Sequence, residues 1–171
     1  MEQDRNPQTV WKALDEAAKE TPDGRMYIFQ NEVVSFKDVD DISDRIASGL
    51  LKMGFRKGDR IGIIAYNQPE WLYTYYAAAK IGAVLVALNV RYRDTELNYM
   101  LNQSETRAVV SLAASADFDY VSFFESFRPE IPTVNDFIFI GDNVPSDSID
   151  FKSLMETPVD YEALDRAKRD V

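Results

Sequence analysis

The sequence predicts an α/β domain: a mainly parallel sheet with flanking helices and an N-terminal β-hairpin. Three observations carry this. Across residues 58–110, short β-prone runs alternate with helical runs, the pattern of right-handed βαβ crossovers. The run Val84-Leu85-Val86-Ala87-Leu88 has no polar residue on either face, which predicts a strand buried in a parallel sheet covered by helices. The helix expected just before it, over 71–81, is nearly free of charge, and a helix apolar all round belongs inside a protein. Together these elements call for more covering layers than a small open domain easily supplies.

In chain order, 9–19 reads as a helix with Val10, Leu14 and Ala17 or Ala18 on one face, ended by Thr21-Pro22-Asp23-Gly24. Two β-prone runs, 26–29 and 33–36, flank Gln30-Asn31-Glu32 and predict a hairpin, since Asn tolerates positive φ. Ser35 with Asp38 three residues later reads as a variant capping box. Val39, Ile42, Ile46, Leu50 and Met53 then form an amphipathic stripe. Gly54 suits a left-handed C-cap with Phe55 closing over the last turn, and 60–65 is the next strand. Asn67 is expected to cap the second helix, with Pro69 in its first turn, and Gly82 ends it. Asp94 is expected to cap a helix over 95–102, followed by a strand at 108–112. A helix around 116–127 and a strand at 137–140 complete the alternation. From Val144 onward Pro, Ser and Asp are frequent, and only Phe151, Leu154 and Met155 form an apolar patch. The expected organisation is a domain over 1–155 and an acidic connecting tail over 156–171, where Tyr161, Leu164 and Ala167 are all a short helix has to bury.

Composition excludes several classes of function. The chain has 171 residues, 46% of them hydrophobic, enough for one domain with a real core. Its 19 basic and 29 acidic residues give a net charge of −10, which argues against nucleic-acid or anionic-membrane binding. There is no His and no Cys, so neither can serve as general base, nucleophile or metal ligand. The first eight residues are polar, unlike a secretory signal, and no apolar run approaches the roughly 18–20 residues that span a bilayer. A soluble, cytoplasmic protein is the plain reading.

No glycine pattern forms a phosphate loop: Gly54, Gly58, Gly62 and Gly82 fit neither G-x-G-x-x-G nor G-x-x-x-x-G-K-S/T. Gly54 and Gly58 read as cap and turn, and Gly62, inside a strand, as a place of close backbone approach. Trp71, Tyr73, Tyr75 and Tyr76 suggest an aromatic ligand box, but adjacent helix residues fan out, so packing is the stronger reading. Asp40, Asp41 and Asp44 read as a solvated helix face. Asn89, Arg91, Tyr92 and Arg93 follow a parallel strand, and ligands bind at the carboxyl edge of such sheets. Two guanidiniums there suit a phosphate or carboxylate, with a plain surface loop as the competing reading.

Several short motifs also agree in order and spacing with one family. Val34-Ser35-Phe36-Lys37-Asp38-Val39 resembles its hxTYxEL segment, and Gly54-Phe55-Arg56-Lys57-Gly58-Asp59-Arg60-Ile61 its GvkkGDRV. Asn67-Gln68-Pro69-Glu70-Trp71 is similar to NspEf or NcpEw, and Ala79-Lys80-Ile81-Gly82-Ala83-Val84 to aKaGAv. Leu88-Asn89-Val90-Arg91-Tyr92, followed by Glu96-Leu97, resembles lNPRl…EL, and Asp150-Phe151-Lys152-Ser153-Leu154 resembles dfeeLl. The family is the adenylate-forming superfamily: acyl- and aryl-CoA synthetases, luciferases and peptide-synthetase adenylation domains. The lNPR form is nearer to fatty acyl-CoA synthetases than to peptide-synthetase domains. The chain departs from the pattern at Val90, where Pro is usual, and at Arg93-Asp94, where Ser/Thr-Pro is common.

The resemblance implies an N-terminal subdomain, starting at Met1 and stopping before the family's Ser/Thr/Gly-rich phosphate loop. For a complete enzyme it implies two half-reactions. A fatty acid attacks Mg·ATP to give an acyl-adenylate and pyrophosphate, and the thiol of CoA then displaces AMP. No catalytic residue of the family falls on any position here. The chain alone is expected to be inactive, to bind none of these cofactors and to self-associate through apolar surface left uncovered. A non-catalytic binding module, another adenylate-forming ligase and an unrelated flavodoxin-like domain are the alternatives. Asn89, Arg91, Tyr92 and Arg93 remain the only substrate- or CoA-facing candidates.

Overall fold

The computed structural model describes residues 9–171; the expectation that the chain carries no secretory signal falls on residues 1–8, outside them. Helix α1 (Val10–Glu20) leads into the hairpin β1 (Arg25–Phe29) and β2 (Glu32–Ser35), which pair antiparallel. Their loop is Gln30-Asn31, and both residues have positive φ, 49° and 67°, as tight two-residue hairpins require. Helix α2 (Phe36–Lys52) follows directly. Then come β3 (Arg60–Ile64), α3 (Pro69–Ile81), β4 (Val84–Ala87), α4 (Asp94–Gln103) and β5 (Ala108–Leu112). A two-residue hairpin, β6 (Ala114–Ser115) and β7 (Phe118–Asp119), precedes α5 (Tyr120–Phe127). The chain closes with β8 (Asp136–Ile140), β9 (Ile149–Asp150), α6 (Phe151–Met155) and α7 (Tyr161–Arg169).

Five strands form one parallel sheet in the order β4-β3-β5-β8-β9. Strand β3 enters first, β4 is laid on one side of it and β5 on the other. Right-handed crossovers then place α3 on one face and α4 and α5 on the opposite face. Side chains alternate accordingly. Ile61, Ile63, Ala108, Val110 and Ile138 join the core shared with α1, α2, α3, α6 and α7. Val109, Phe137 and Phe139 join the core shared with α4 and α5. Gly62 is where the backbone must pass close to its neighbours: a Cβ there would lie 3.2 Å from Leu101 and 3.4 Å from both Leu88 and Thr106.

Several local expectations differ from what the fold does. The apolar run at 84–88 is the edge strand β4 rather than a buried central one, and Val84 is 49% exposed. The cause is topological, because β5 pairs with the far side of β3 and leaves β4 a single neighbour. Val10 is exposed, so α1 packs through Leu14. Gln68, not Asn67, precedes α3 as its N-cap, and the Asn67 carbonyl instead accepts the Tyr27 hydroxyl at 2.7 Å. Asp94 is the first residue of α4, and the Glu96 carboxylate accepts the Arg93 amide at 3.2 Å. The helix expected from 116 starts at Tyr120, because β6 and β7 intervene and Asp119 caps it by accepting the Ser122 amide at 3.0 Å. Residues 161–169 form α7, which docks on α2 with Leu164 buried while Tyr161 stays exposed.

The largest correction concerns charge. Lys80, the one basic residue of α3, is fully buried. Its ammonium has four oxygen neighbours: Asp40 Oδ1 at 2.7 Å, Asp40 O at 2.8 Å, Ser43 Oγ at 2.7 Å and Asp44 Oδ1 at 2.6 Å. Asp40 and Asp44 are therefore not a solvated face; their side chains are only 18% and 16% exposed. A buried cation without partners is prohibitive, so both carboxylates turn to it. Asp41 does face solvent, where it pairs with Lys37. Lys168 of α7 reaches the same Asp44 oxygen at 3.2 Å. At the other end of α2, Arg107 donates to the Met53 and Gly54 carbonyls, both at 3.0 Å, and to Asp59 at 2.8 Å, with its guanidinium over the Phe55 ring.

The start of α2 behaves as its sequence demands. Asp38 N donates to Ser35 Oγ at 3.1 Å and Ser35 N to Asp38 Oδ2 at 2.9 Å, a reciprocal capping box. The Ser35 hydroxyl, then the Ser35 amide, hold the Asp38 carboxyl below its usual pKa. A depressed carboxyl stabilises the fold above its unfolded pKa, and that contribution fades as pH falls through the folded value. Ser35→Ala should therefore cost about 1 kcal/mol in urea denaturation at pH 7, with the difference from wild type shrinking in acid below about pH 4. By the same measurement, Lys80→Met strands two carboxylates and should cost about 3 kcal/mol or more, whereas Lys168→Met should cost about 1 kcal/mol or less.

Candidate functional site

All five strands of the main sheet are parallel, so their carboxyl ends open on one edge. The connection leaving β3 runs to one side, to β4, and the connection leaving β5 runs to the other, to β8, which places a topological switch between β3 and β5, where ligands bind in open α/β sheets. Three segments meet along this edge: Tyr66-Asn67 after β3, the turn 89–92 after β4, and 113–120 after β5. The hairpin is tied to it through the Tyr27–Asn67 hydrogen bond.

The turn is compact. Asn89 O accepts the Tyr92 amide at 3.0 Å, and Asn89 Oδ1 accepts the Arg91 amide at 2.9 Å. Arg91 is exposed, and its guanidinium has no hydrogen bond or ion pair among the described residues. Arg93 behaves oppositely. Its Nη1 donates back to Val90 O at 2.9 Å and Tyr92 O at 2.7 Å, and its guanidinium lies 3.7 Å from the Phe118 ring centroid. Tyr92 is half-buried against the α4–α5 core. Of the four sequence candidates, Asn89 and Arg91 thus face solvent on the turn, while Tyr92 and Arg93 are turned inward.

Sequence reasoning missed Tyr120. Its ring is buried, and its hydroxyl donates to Val90 O at 2.7 Å. Burial raises its pKa, and the Arg93 cation opposes the rise. Its place just beyond β5, across the switch from β3, was the signal that could have found it. The aromatic run on α3 makes no box. Trp71 and Tyr75 stack at 5.7 Å, while Tyr73 points into the core, where burial first, then the Glu70 charge, pushes its pKa up to about 12.

Chemically, this edge offers one free guanidinium on a rigid turn, beside a polar Asn and an aromatic floor. That suits an anionic group of a substrate. Among the described residues no group of three or more His, Cys, Asp or Glu is placed to hold a metal ion, and no Gly-rich loop follows any strand. No reaction step is assigned to these residues.

Known proteins resemble this chain closely. A family model described as "AMP-binding enzyme" matches residues 14–154. The mitochondrial medium-chain acyl-CoA ligase of Bos taurus is 32% identical over 125 residues, covering 72% of this chain and 20% of that protein. An acyl-CoA ligase of Aspergillus fumigatus is 47% identical over 73 residues, 43% of this chain and 12% of that protein. Among solved structures, the acetoacetyl-CoA synthetase of Streptomyces lividans superposes with a TM-score of 0.79 at 19% identity, over 86% of this chain and 25% of that one, a likeness of fold. The chain spans less than a quarter of the length of these curated relatives. With a family model matching residues 14–154, most of its length, the chain belongs to the AMP-binding (adenylate-forming) enzymes.

Proposed function

We propose that the chain is the N-terminal part of an ATP-dependent acyl-CoA synthetase, acting on a fatty acid in the cytoplasm. The observation that carries this is the match over 14–154 to the AMP-binding enzyme family, together with a medium-chain acyl-CoA ligase among the relatives. In the complete protein, a carboxylate and Mg·ATP give an acyl-adenylate and pyrophosphate, and CoA then displaces AMP. Preorganised positive charge stabilises the phosphates in such transfers. This chain supplies a rigid parallel-sheet wall and, at its carboxyl edge, Asn89 and Arg91 facing CoA or substrate phosphates. Tyr92 and Arg93 belong to the same loop as its support.

Residues 1–171 hold no Ser/Thr/Gly-rich phosphate loop, so catalysis needs groups from elsewhere in the protein. The purified 171-residue chain should show no ATP–pyrophosphate exchange with any fatty acid, and robust exchange would overturn this reading. The bare β4 edge carries only apolar side chains, and unprotected edges pair with other strands. Sedimentation should therefore show self-association of the isolated chain, reduced by Val84→Lys; a clean monomer at high concentration counts against it.

A further inference from the structure

The turn that presents Arg91 is held in an unusual way. Residues 89–92 close a β-turn through the Tyr92 amide and the Asn89 carbonyl, which puts Val90 at the position where proline is most favoured. Proline there would fix φ and stiffen the turn. Val90 gives no such restraint, and its amide makes no hydrogen bond among the described residues. Its carbonyl is instead gripped twice, by Tyr120 Oη at 2.7 Å and Arg93 Nη1 at 2.9 Å. Both groups are themselves fixed. Tyr120 is 1% exposed and meets Phe118 edge-on at 4.8 Å, and Arg93 stacks on the other partner of that contact, Phe118. The Phe118 ring packs in turn on Phe123 at 5.3 Å. A brace thus runs from the α5 core to the turn, and the only guanidinium of the turn left free is Arg91.

We infer that Tyr120 and Arg93 are positioning residues, whose shared grip on the Val90 carbonyl does the work of a proline at position 90 and aims Arg91 at an anionic substrate group. The ligand part rests on the reading of Arg91 given above; the brace itself does not. A turn ordered before binding avoids the conformational cost of ordering it on binding. Losing one arm of the brace should therefore weaken anion binding without removing any group that touches the anion. Stiffening the turn by another route should restore it.

The family resemblance implies that the chain alone binds no cofactor, but an Arg91 ordered in advance should hold CoA phosphates weakly. The test therefore uses the 171-residue chain, CoA as probe, and four variants: Tyr120→Phe, Val90→Pro, the double variant, and Arg91→Ala. Two quantities are measured: CoA affinity by calorimetry, and the exchange rate of the Tyr92 amide. Tyr120→Phe keeps the ring and its packing. It should weaken CoA binding about three- to tenfold and speed Tyr92 exchange. Adding Val90→Pro should bring both back toward wild type, a rescue that lost core packing would not give. Unchanged exchange in Tyr120→Phe, or no recovery in the double variant, overturns the brace. If the wild-type chain binds no CoA, or Arg91→Ala binds it as tightly as wild type, the ligand reading falls, and the exchange rates still decide the brace.

Discussion

One buried ammonium sets the geometry on which the rest depends. Lys80 lies at the centre of the contact between α2 and α3, with its charge divided between Asp40 and Asp44 and its third donor near Ser43. Replacing a buried ion pair by apolar groups is often neutral, so the pair is weak as a source of net stability. Its effect is on arrangement. A cation that must meet four oxygens allows α3 one register on α2. Since α3 is the crossover that delivers β4 to the side of β3, that register also settles where the first βαβ unit lies. Helix α7 is bound to the same centre through Lys168 and Asp44, and it needs the help, because Leu164 is the one residue it fully buries.

The two ends of the sheet divide the work. At the amino end, Arg107 closes α2 onto the start of β5, and Lys57 accompanies the end of α7 at the Asp170 carbonyl. Val171 lies against the backbone of Gly82, just before β4. This end is dense with paired charges and helix caps. The carboxyl end is built differently, from aromatic rings, one tight turn and an unpaired guanidinium. The proposed function asks for an edge ordered before an anionic ligand arrives, and the aromatic packing behind 89–93 supports that order.

What could be read from the sequence was what local chemistry decides. The capping box at Ser35 and Asp38, the stripe from Val39 to Met53, the hairpin at Gln30-Asn31 and the Gly54 cap all follow from neighbours within a turn or two. The motifs at 54–61 and 79–84 likewise pointed to the family before any contact was known. The illegible parts depend on partners distant in the chain. Nothing in Val84-Leu85-Val86-Ala87 says that β5 will pass to the far side of β3 and leave this strand at an edge. Asp40 and Asp44 look like a wet helix face until Lys80, about forty residues on, is packed against them. Arg93 looked like a second ligand-binding guanidinium because its stacking partner, Phe118, belongs to another connection.

If the Lys80 centre fixes α3 on α2, and with it the crossover that sets β4 beside β3, then α3 and the sheet must open together. Native-state hydrogen exchange on the 171-residue chain measures this directly, residue by residue. The expected result is that amides near the end of α3, at Ala77, Ala78 and Lys80, exchange with the same opening free energy as those of Ile63 in β3 and Val110 in β5. Separate, lower-energy opening of α3 while the sheet stays protected would contradict it.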